Sequence, residues 1–310
     1  MDSCRVKVNS SVANLGPGFD VLAACVDLFS DTVTVQTDFQ SSGNIKIEGS
    51  GVPTQPELNS AGFSVLELQK KFTLKGDITI ILDKHIPTGF GLGSSGASSV
   101  GAVKAIDSLY GLSLSSDELV YYSGIGESAV SGSPHWDNVS ASLMGGVTMV
   151  SSFNPFHVDQ LSKNSSLSFT VIIPDIKIEN KTKESRQLVP SSISMKDHIH
   201  GNSKLATLIS GLLKDDLEQI SRGMHDDIVE KSRASLYPYY STFKEMILDR
   251  MTAGVCLSGA GPSILVVSDK PSIKRIRDVS EQTFREFGIK YSIYSGGIAN
   301  GAYVEEKILS

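Results

Sequence analysis

Thirteen residues, Pro87-Thr88-Gly89-Phe90-Gly91-Leu92-Gly93-Ser94-Ser95-Gly96-Ala97-Ser98-Ser99, constrain what this chain can fold into more than any other segment. A β-branched run, Ile78 to Leu82, predicts a strand just before them. Apolar residues at Val100, Val103, Ile106 and Leu109 predict a helix just after them, with Gly111 as its stop. Glycines in series let backbone N–H groups approach an anion closely, and the new helix offers its unpaired N-terminal donors and positive dipole end to the same anion. A phosphate group fits such a place. The Ser94 and Ser95 hydroxyls can add hydrogen bonds, and one of them can face a magnesium ion bridging phosphate oxygens. A plain turn before a helix is the alternative reading of composition alone.

The known phosphate-binding loops can be sorted against this segment. A Walker A loop needs Gly-Lys, a dipeptide this chain lacks. Gly91 to Gly96 satisfies G-x-G-x-x-G, but a dinucleotide fingerprint follows its strand at once and is followed by an acid closing a second strand. Here the eight residues Asp83 to Phe90 intervene, and Asp107 and Asp117 fall at a helix end and a helix start. The H-R-D and D-F-G signatures of protein kinases are absent.

At 310 residues the chain is long enough for about two domains. Strand patterns at Cys4–Ser11 and Thr32–Thr37, a turn and loop from Gly43 to Pro56, and a helix over Ser60–Phe72 are expected before the glycine loop. Ser115 with Glu118 predicts a capping box opening a helix toward Val130. The polar stretch Ser151 to Ser168 is the best boundary, dividing the chain into 1–160 and 161–310. Beyond it, strands at Ser168–Pro174, Gly254–Ser258 and Ile264–Ser268 alternate with helical patterns at Ser203–Leu213, Asp216–Met224 and Tyr239–Arg250. That alternation suggests an α+β domain around a largely antiparallel sheet.

With 28 basic against 34 acidic side chains, the net charge of −6 disfavours nucleic acid or anionic membrane as the principal partner. Cys4, Cys25 and Cys256 are too scattered for a disulfide framework or a zinc site. The start, Met1-Asp2-Ser3-Cys4-Arg5, has no signal-peptide pattern, and a cytoplasmic location is expected.

The Pro-x-x-x-Gly-Leu-Gly-Ser-Ser run resembles the phosphate loop of the GHMP kinases, which phosphorylate small molecules. Four more segments make the chain similar to the homoserine kinases among them: Ser11-Val12-Ala13-Asn14-Leu15-Gly16-Pro17-Gly18-Phe19-Asp20, His135-Trp136-Asp137-Asn138-Val139 with Gly145-Gly146, Lys183 to Pro190, and Ser258-Gly259-Ala260-Gly261-Pro262-Ser263. Together they span nearly the whole chain. The resemblance implies an α+β, two-domain GHMP kinase fold, with an N-terminal domain like ribosomal protein S5 domain 2, a ferredoxin-like C-terminal domain and the active site between them. It also implies ATP as co-substrate, Mg2+, L-homoserine as substrate, a place in threonine biosynthesis and a homodimer.

By the same resemblance, Asn14 and Asp20 would hold the amino acid end of the substrate, with Asp20 facing the ammonium, and Arg186 and Arg233 would clamp its carboxylate. Pro87 to Ala97 would hold the nucleotide phosphates, and Ser95 and Glu127 would hold the metal. Asn138 would orient the substrate hydroxyl, while Asp137 would act as base or electrostatic partner. Positioning without a strong base stays open as the competing mechanism. Read without the family, Asn14 to Gly18 is a turn, Asp20 and Glu127 are solvated acids, and His135 is a structural histidine. Departures from the family pattern at Val12, Gly96 and Ser140 to Ser142 remove no charged group.

Overall fold

The computed structural model describes residues 1–39, 43–176 and 181–310. The chain opens with β1 (Asp2–Ala13), β2 (Leu22–Thr37), β3 (Ile45–Gly49), α1 (Ser60–Phe72), β4 (Ile78–Asp83), α2 (Ser94–Tyr110), α3 (Ser116–Ser131) and α4 (Trp136–Met144). A hairpin follows, β5 (Val147–Phe153) and β6 (Phe156–Ser162), and then β7 (Ser168–Pro174). Helices α5 (Lys181–Gln187), α6 (Met195–Lys214), α7 (Leu217–Gly223), α8 (Val229–Ala234) and α9 (Tyr239–Arg250) come next. The chain closes with β8 (Gly254–Leu257), β9 (Ile264–Ser268), α10 (Ile273–Glu286), β10 (Tyr291–Gly296) and β11 (Tyr303–Ile308).

These strands form two sheets, and the architecture is the expected α+β one. In the first, β11, β1, β2, β4 and β3 lie side by side, and β5 and β6 extend from the other half of β2. All its pairings are antiparallel except that of β3 with β4. The second sheet runs β10, β7, β9, β8 and is antiparallel throughout. Strands β7, β8 and β9 are buried on both faces, whereas β10 is partly exposed, and the buried side chains divide by alternation. In β9, Ile264 and Val266 face a core shared with Phe243 of α9 and Ile276 of α10, whereas Leu265 and Val267 join a core with Leu208 of α6 and Ile220 of α7.

Several expectations hold at the level of single residues. Ser115 and Glu118 form the capping box at α3, and Gly111 ends α2 in the left-handed conformation. Others do not. Residues 43–56, read as turn and loop, contain β3; only Ile45 and Ile47 carry its apolar alternation, between charged Lys46 and Glu48 on a sheet edge. Strand β2 begins at Leu22, ten residues before the Thr32–Thr37 pattern, because its first half, with Ala23, Ala24 and Cys25, carries little of the β-branched signature. Ser151–Ser162 belongs to the β5–β6 hairpin, and the chain passes to the second sheet between Ser162 and Ser168. The last strand, β11, then returns to pair with β1 in the first sheet.

The helices α1, α2 and α3 pack so closely that small residues are obligatory between them. A Cβ on Gly126 of α3 would sit 2.0 Å from Ser64 Oγ and 2.6 Å from Ser99 Oγ. Those two hydroxyls are bonded to each other, and Ser99 also donates to the Ser123 carbonyl at 2.7 Å. Gly126→Ala should therefore lower stability by about 1–3 kcal/mol through overpacking, measured by urea denaturation.

Candidate active site

The glycine loop leaves β4 through a buried ion pair. The Lys84 ammonium meets Asp31 of β2 and also donates to the Ser94 carbonyl at 2.5 Å and the Ser98 hydroxyl at 2.7 Å. Burial pulls the lysine's pKa below its ordinary value, and Asp31 opposes that shift. The other Asp31 oxygen accepts the backbone N–H groups of His85 and Ile86 at 2.7 and 2.8 Å. One carboxylate thus sets the direction in which the chain leaves the strand, while its lysine grips the first turn of α2.

Across the loop, Gly89, Gly91 and Gly93 have φ values of +87°, +79° and +70°. At Gly91 an added Cβ would lie 2.1 Å from the Ser258 carbonyl, and at Gly93 one would lie 2.1 Å from Ser11 Oγ. Ser258 Oγ donates to the Gly91 carbonyl at 2.6 Å, and the Ser11 N–H donates to the Leu92 carbonyl at 3.2 Å. The loop is therefore clamped between the end of β1 and the 258–261 turn of the second sheet. Gly93 caps α2 with no side-chain bond, which leaves the first N–H groups of the helix open to an anion in the cleft.

Beside that helix start, Ser95 Oγ donates to Glu127 Oε2 at 2.9 Å, and His135 Nδ1 lies 3.4 Å from the same oxygen. Glu127 is only 3% exposed, far from the solvated acid that its sequence position suggests. Burial disfavours the His135 imidazolium, but the Glu127 carboxylate, with Asp137 and Asp20 beyond it, more than compensates and raises its pKa. Helix α4 then presents Asp137 and Asn138 to the cleft. Asn138 Oδ1 accepts from Ser11 Oγ at 3.0 Å, and the Asn138 N–H donates to Asp137 Oδ1 at 2.8 Å. Asp137 is fully enclosed, and burial, seconded by the charge of Asp20, pushes its pKa up to about 6.

The other end of the cleft is built from the segment after β1. Asn14, Leu15, Gly16 and Asp20 all take positive φ. Asn14 bridges outward and inward: its Nδ2 donates to the Gly259 carbonyl at 3.1 Å, and its Oδ1 accepts the Asp20 N–H at 3.2 Å. Its amide therefore positions Asp20. Asp20 pairs with Arg186 of α5 at 2.5 Å. Arg233 of α8, 5% exposed, donates to the Ser185 and Gly259 carbonyls at 3.3 and 3.2 Å, and burial lowers its pKa.

These groups line one cleft of about 260 Å³, so Asn14, Asp20, Glu127, Asp137, Asn138, Arg186, Arg233 and most of Pro87–Ser95 are brought together from both sheets. Phe90, Gly96 and Ala97 do not line it: Phe90 and Ala97 join the hydrophobic core, and Gly96 packs against Val139. Sequence reasoning overlooked Asp31 and Lys84, which fix the loop, and Ser133, whose hydroxyl accepts from Arg186 at 3.2 Å. The only sequence signal for Lys84 is a charge directly after an apolar strand. Ser95 and Glu127 set two hard oxygens side by side, a pairing a magnesium ion would accept, while among the described residues no three His, Cys, Asp or Glu side chains gather to hold a metal. No helix of the described residues is long and apolar enough to cross a membrane.

Comparison with known proteins shows the family and the fold. Residues 59–146 match the GHMP kinases N terminal domain, and residues 208–285 match the GHMP kinases C terminal family. A homoserine kinase of Saccharolobus islandicus is 40% identical over 310 residues, covering 99% of this chain and 100% of its own. One from Thermoplasma acidophilum is 42% identical, covering 97% of each. The crystal structure of homoserine kinase from Cytophaga hutchinsonii superimposes with a TM-score of 0.88 at 32% identity, covering 98% of both chains. Mevalonate diphosphate decarboxylase from Staphylococcus aureus, at 14% identity and a TM-score of 0.72, shares the fold.

The Asp31–Lys84 pair makes the loop testable. Asp31→Ala strands a buried ammonium and frees two N–H groups, and should cost roughly 3–5 kcal/mol of stability by thermal or chemical unfolding. Adding Lys84→Met to that variant should recover part of the loss.

Proposed function

The chain belongs to the GHMP kinases, and we propose that it transfers the terminal phosphoryl group of ATP to the side-chain hydroxyl of L-homoserine, giving O-phospho-L-homoserine for threonine biosynthesis. One juxtaposition carries this reading. Asn138 lies against the glycine loop, so close that a Cβ on Gly93 would be 3.1 Å from its Oδ1, while Asp20, Arg186 and Arg233 stand in the same cleft.

Homoserine presents an ammonium, a carboxylate and a terminal hydroxyl. Arg186 and Arg233 take the carboxylate and Asp20 the ammonium, which points the hydroxyl toward α4. Ser11 occupies Asn138 Oδ1, leaving Nδ2 to hold the hydroxyl oxygen. Phosphoryl transfer passes through a loose transition state that spreads charge over the equatorial oxygens, so the protein's work is positioning and charge neutralisation. The N–H groups opening α2 meet that charge, with the Lys84 ammonium beneath them. Ser95 and Glu127 would hold Mg2+, which would supply further neutralisation of the phosphate charge. Asp137, ionised above about pH 6, accepts the hydroxyl proton. The same reading carries a homodimer in the cytoplasm.

Release of ADP that requires both homoserine and magnesium tests the activity, and no response to homoserine across a panel of hydroxylated amino acids and polyols would reject it. Asn138→Ala should lower turnover by about 10² to 10⁴ with the ATP requirement little changed, since hydroxyl positioning is lost. For Asp137, the raised pKa means that the carboxylate is protonated as pH falls through about 6. Turnover should therefore drop about tenfold per unit below that value, and Asp137→Asn should lose turnover together with this acid limb. An Asp137→Asn enzyme with parental turnover would leave positioning alone as the mechanism.

A further inference from the structure

Phe19 stands where two cavities meet. It lines the cleft, and it also lines a second cavity of about 320 Å³ bounded by Pro17, Pro190, Ile193, His200 and Ile228. The ring belongs to none of the three hydrophobic clusters of the core. What it does touch is charge: the Arg186 guanidinium carbon is 5.2 Å and that of Arg233 4.9 Å from its centroid. An aromatic ring used as core filling would be packed by aliphatic neighbours, whereas this one is faced by two cations.

Those cations repel each other, and Arg186 adds to the burial that destabilises the charge on Arg233. Arg186 has Asp20 as counter-ion, but among the described residues Arg233 pairs with no carboxylate and is held by two backbone carbonyls. The negative face of an aromatic ring attracts a guanidinium without neutralising it, so both arginines remain able to bind an anion. The ring's own place is set by its strained neighbourhood, in which Asp20 at φ +58° donates its N–H to Asn14.

We propose that Phe19 is the positioning and size-setting residue of the substrate site: its ring spaces Arg186 and Arg233 for a single carboxylate and walls the cleft from the second cavity, which restricts the acceptor to a short hydroxy amino acid. This rests on the reading of the chain as a hydroxy amino acid kinase. Removing the ring joins the two cavities, giving a longer acceptor somewhere to place its extra length while loosening the grip on homoserine.

The test compares the parent with Phe19→Leu, Phe19→Ala and Phe19→Tyr, using homoserine and the homologous hydroxy amino acid with one more methylene. For the Leu and Ala variants, KM for homoserine should rise about ten- to a hundredfold while KM for ATP stays within about twofold. For Phe19→Ala, kcat/KM for the longer acceptor relative to homoserine should rise at least about tenfold, because a one-methylene preference is normally worth about 10–200-fold. Phe19→Tyr, which keeps the ring, should hold the parental preference and KM. KM values for homoserine and ATP rising together, or a preference ratio unmoved in an active Phe19→Ala or Phe19→Leu enzyme, would overturn the inference. A parent inert toward homoserine would reject the functional reading and this inference with it, whereas an active parent with an unmoved ratio rejects the inference alone.

Discussion

No side chain fits between the glycine loop and its two flanks, and the rest of the molecule is arranged around that constraint. Gly91 is pressed against the Ser258 carbonyl of the second sheet's turn, and Gly93 against the Ser11 hydroxyl at the end of β1. Contacts on both sides of Gly91 to Gly93 hold this part of the loop against the cleft, and the uncapped N–H groups opening α2 face the same space. Preorganised donors need no reorganisation when charge develops, which is where such sites gain most of their effect. The buried Asp31–Lys84 pair serves the same end from below, because its hydrogen bonds tie the exit of β4 to the first turn of α2.

The two ends of the cleft solve opposite electrostatic problems. At the end formed by the start of α2, the open helix terminus and the Ser95–Glu127 pair would face the proposed nucleotide phosphates, with the Lys84 ammonium beneath the first turn. At the other end, Arg233 is kept charged although buried, and its helix is anchored by a second buried network. Glu230 of α8 accepts from Lys244 of α9 at 2.6 Å and from the Leu257 N–H of β8 at 3.1 Å. That N–H lies on the open edge of β8, so the carboxylate satisfies an edge donor and fixes α8 against the strand leading to Gly259. The Gly259 carbonyl in turn accepts from both Arg233 and Asn14, tying α8 to the segment after β1, while the neighbouring Ser258 hydroxyl holds the glycine loop.

Much of this was legible from residues that act on their immediate neighbours. The helix after the glycine loop, its stop at Gly111 and the capping box of α3 depend on groups within one turn of each other, and they appear as expected. The candidate site residues were readable as motifs, because Asn14, Asp20, Asp137, Asn138 and Arg186 each sit in a short distinctive segment. Where pairing partners are far apart in sequence, the reading faltered. Strand β3 needs β4 to exist, the Ala-containing first half of β2 is extended because it is wedged between β1 and β5, and β11 finds its partner at the opposite end of the chain, as Ser3 pairs with Ile308. Nothing in a window of ten residues reports such partners.

The amino-acid sequence by itself determined the chemistry available: a glycine loop suited to an anion, a set of acids, amides and arginines in short motifs, and a net charge of −6. These follow from side-chain identity and short spacing, which survive any arrangement of the chain. Only the tertiary structure decided that Glu127 is buried beside Ser95, that Asn14 spends its amide on positioning Asp20, that Lys84 lies beneath the helix start, and that Phe19 faces two guanidiniums at the wall between two cavities. Burial and through-space charge arise from segments that meet across the fold, and those two quantities set how each polar group behaves.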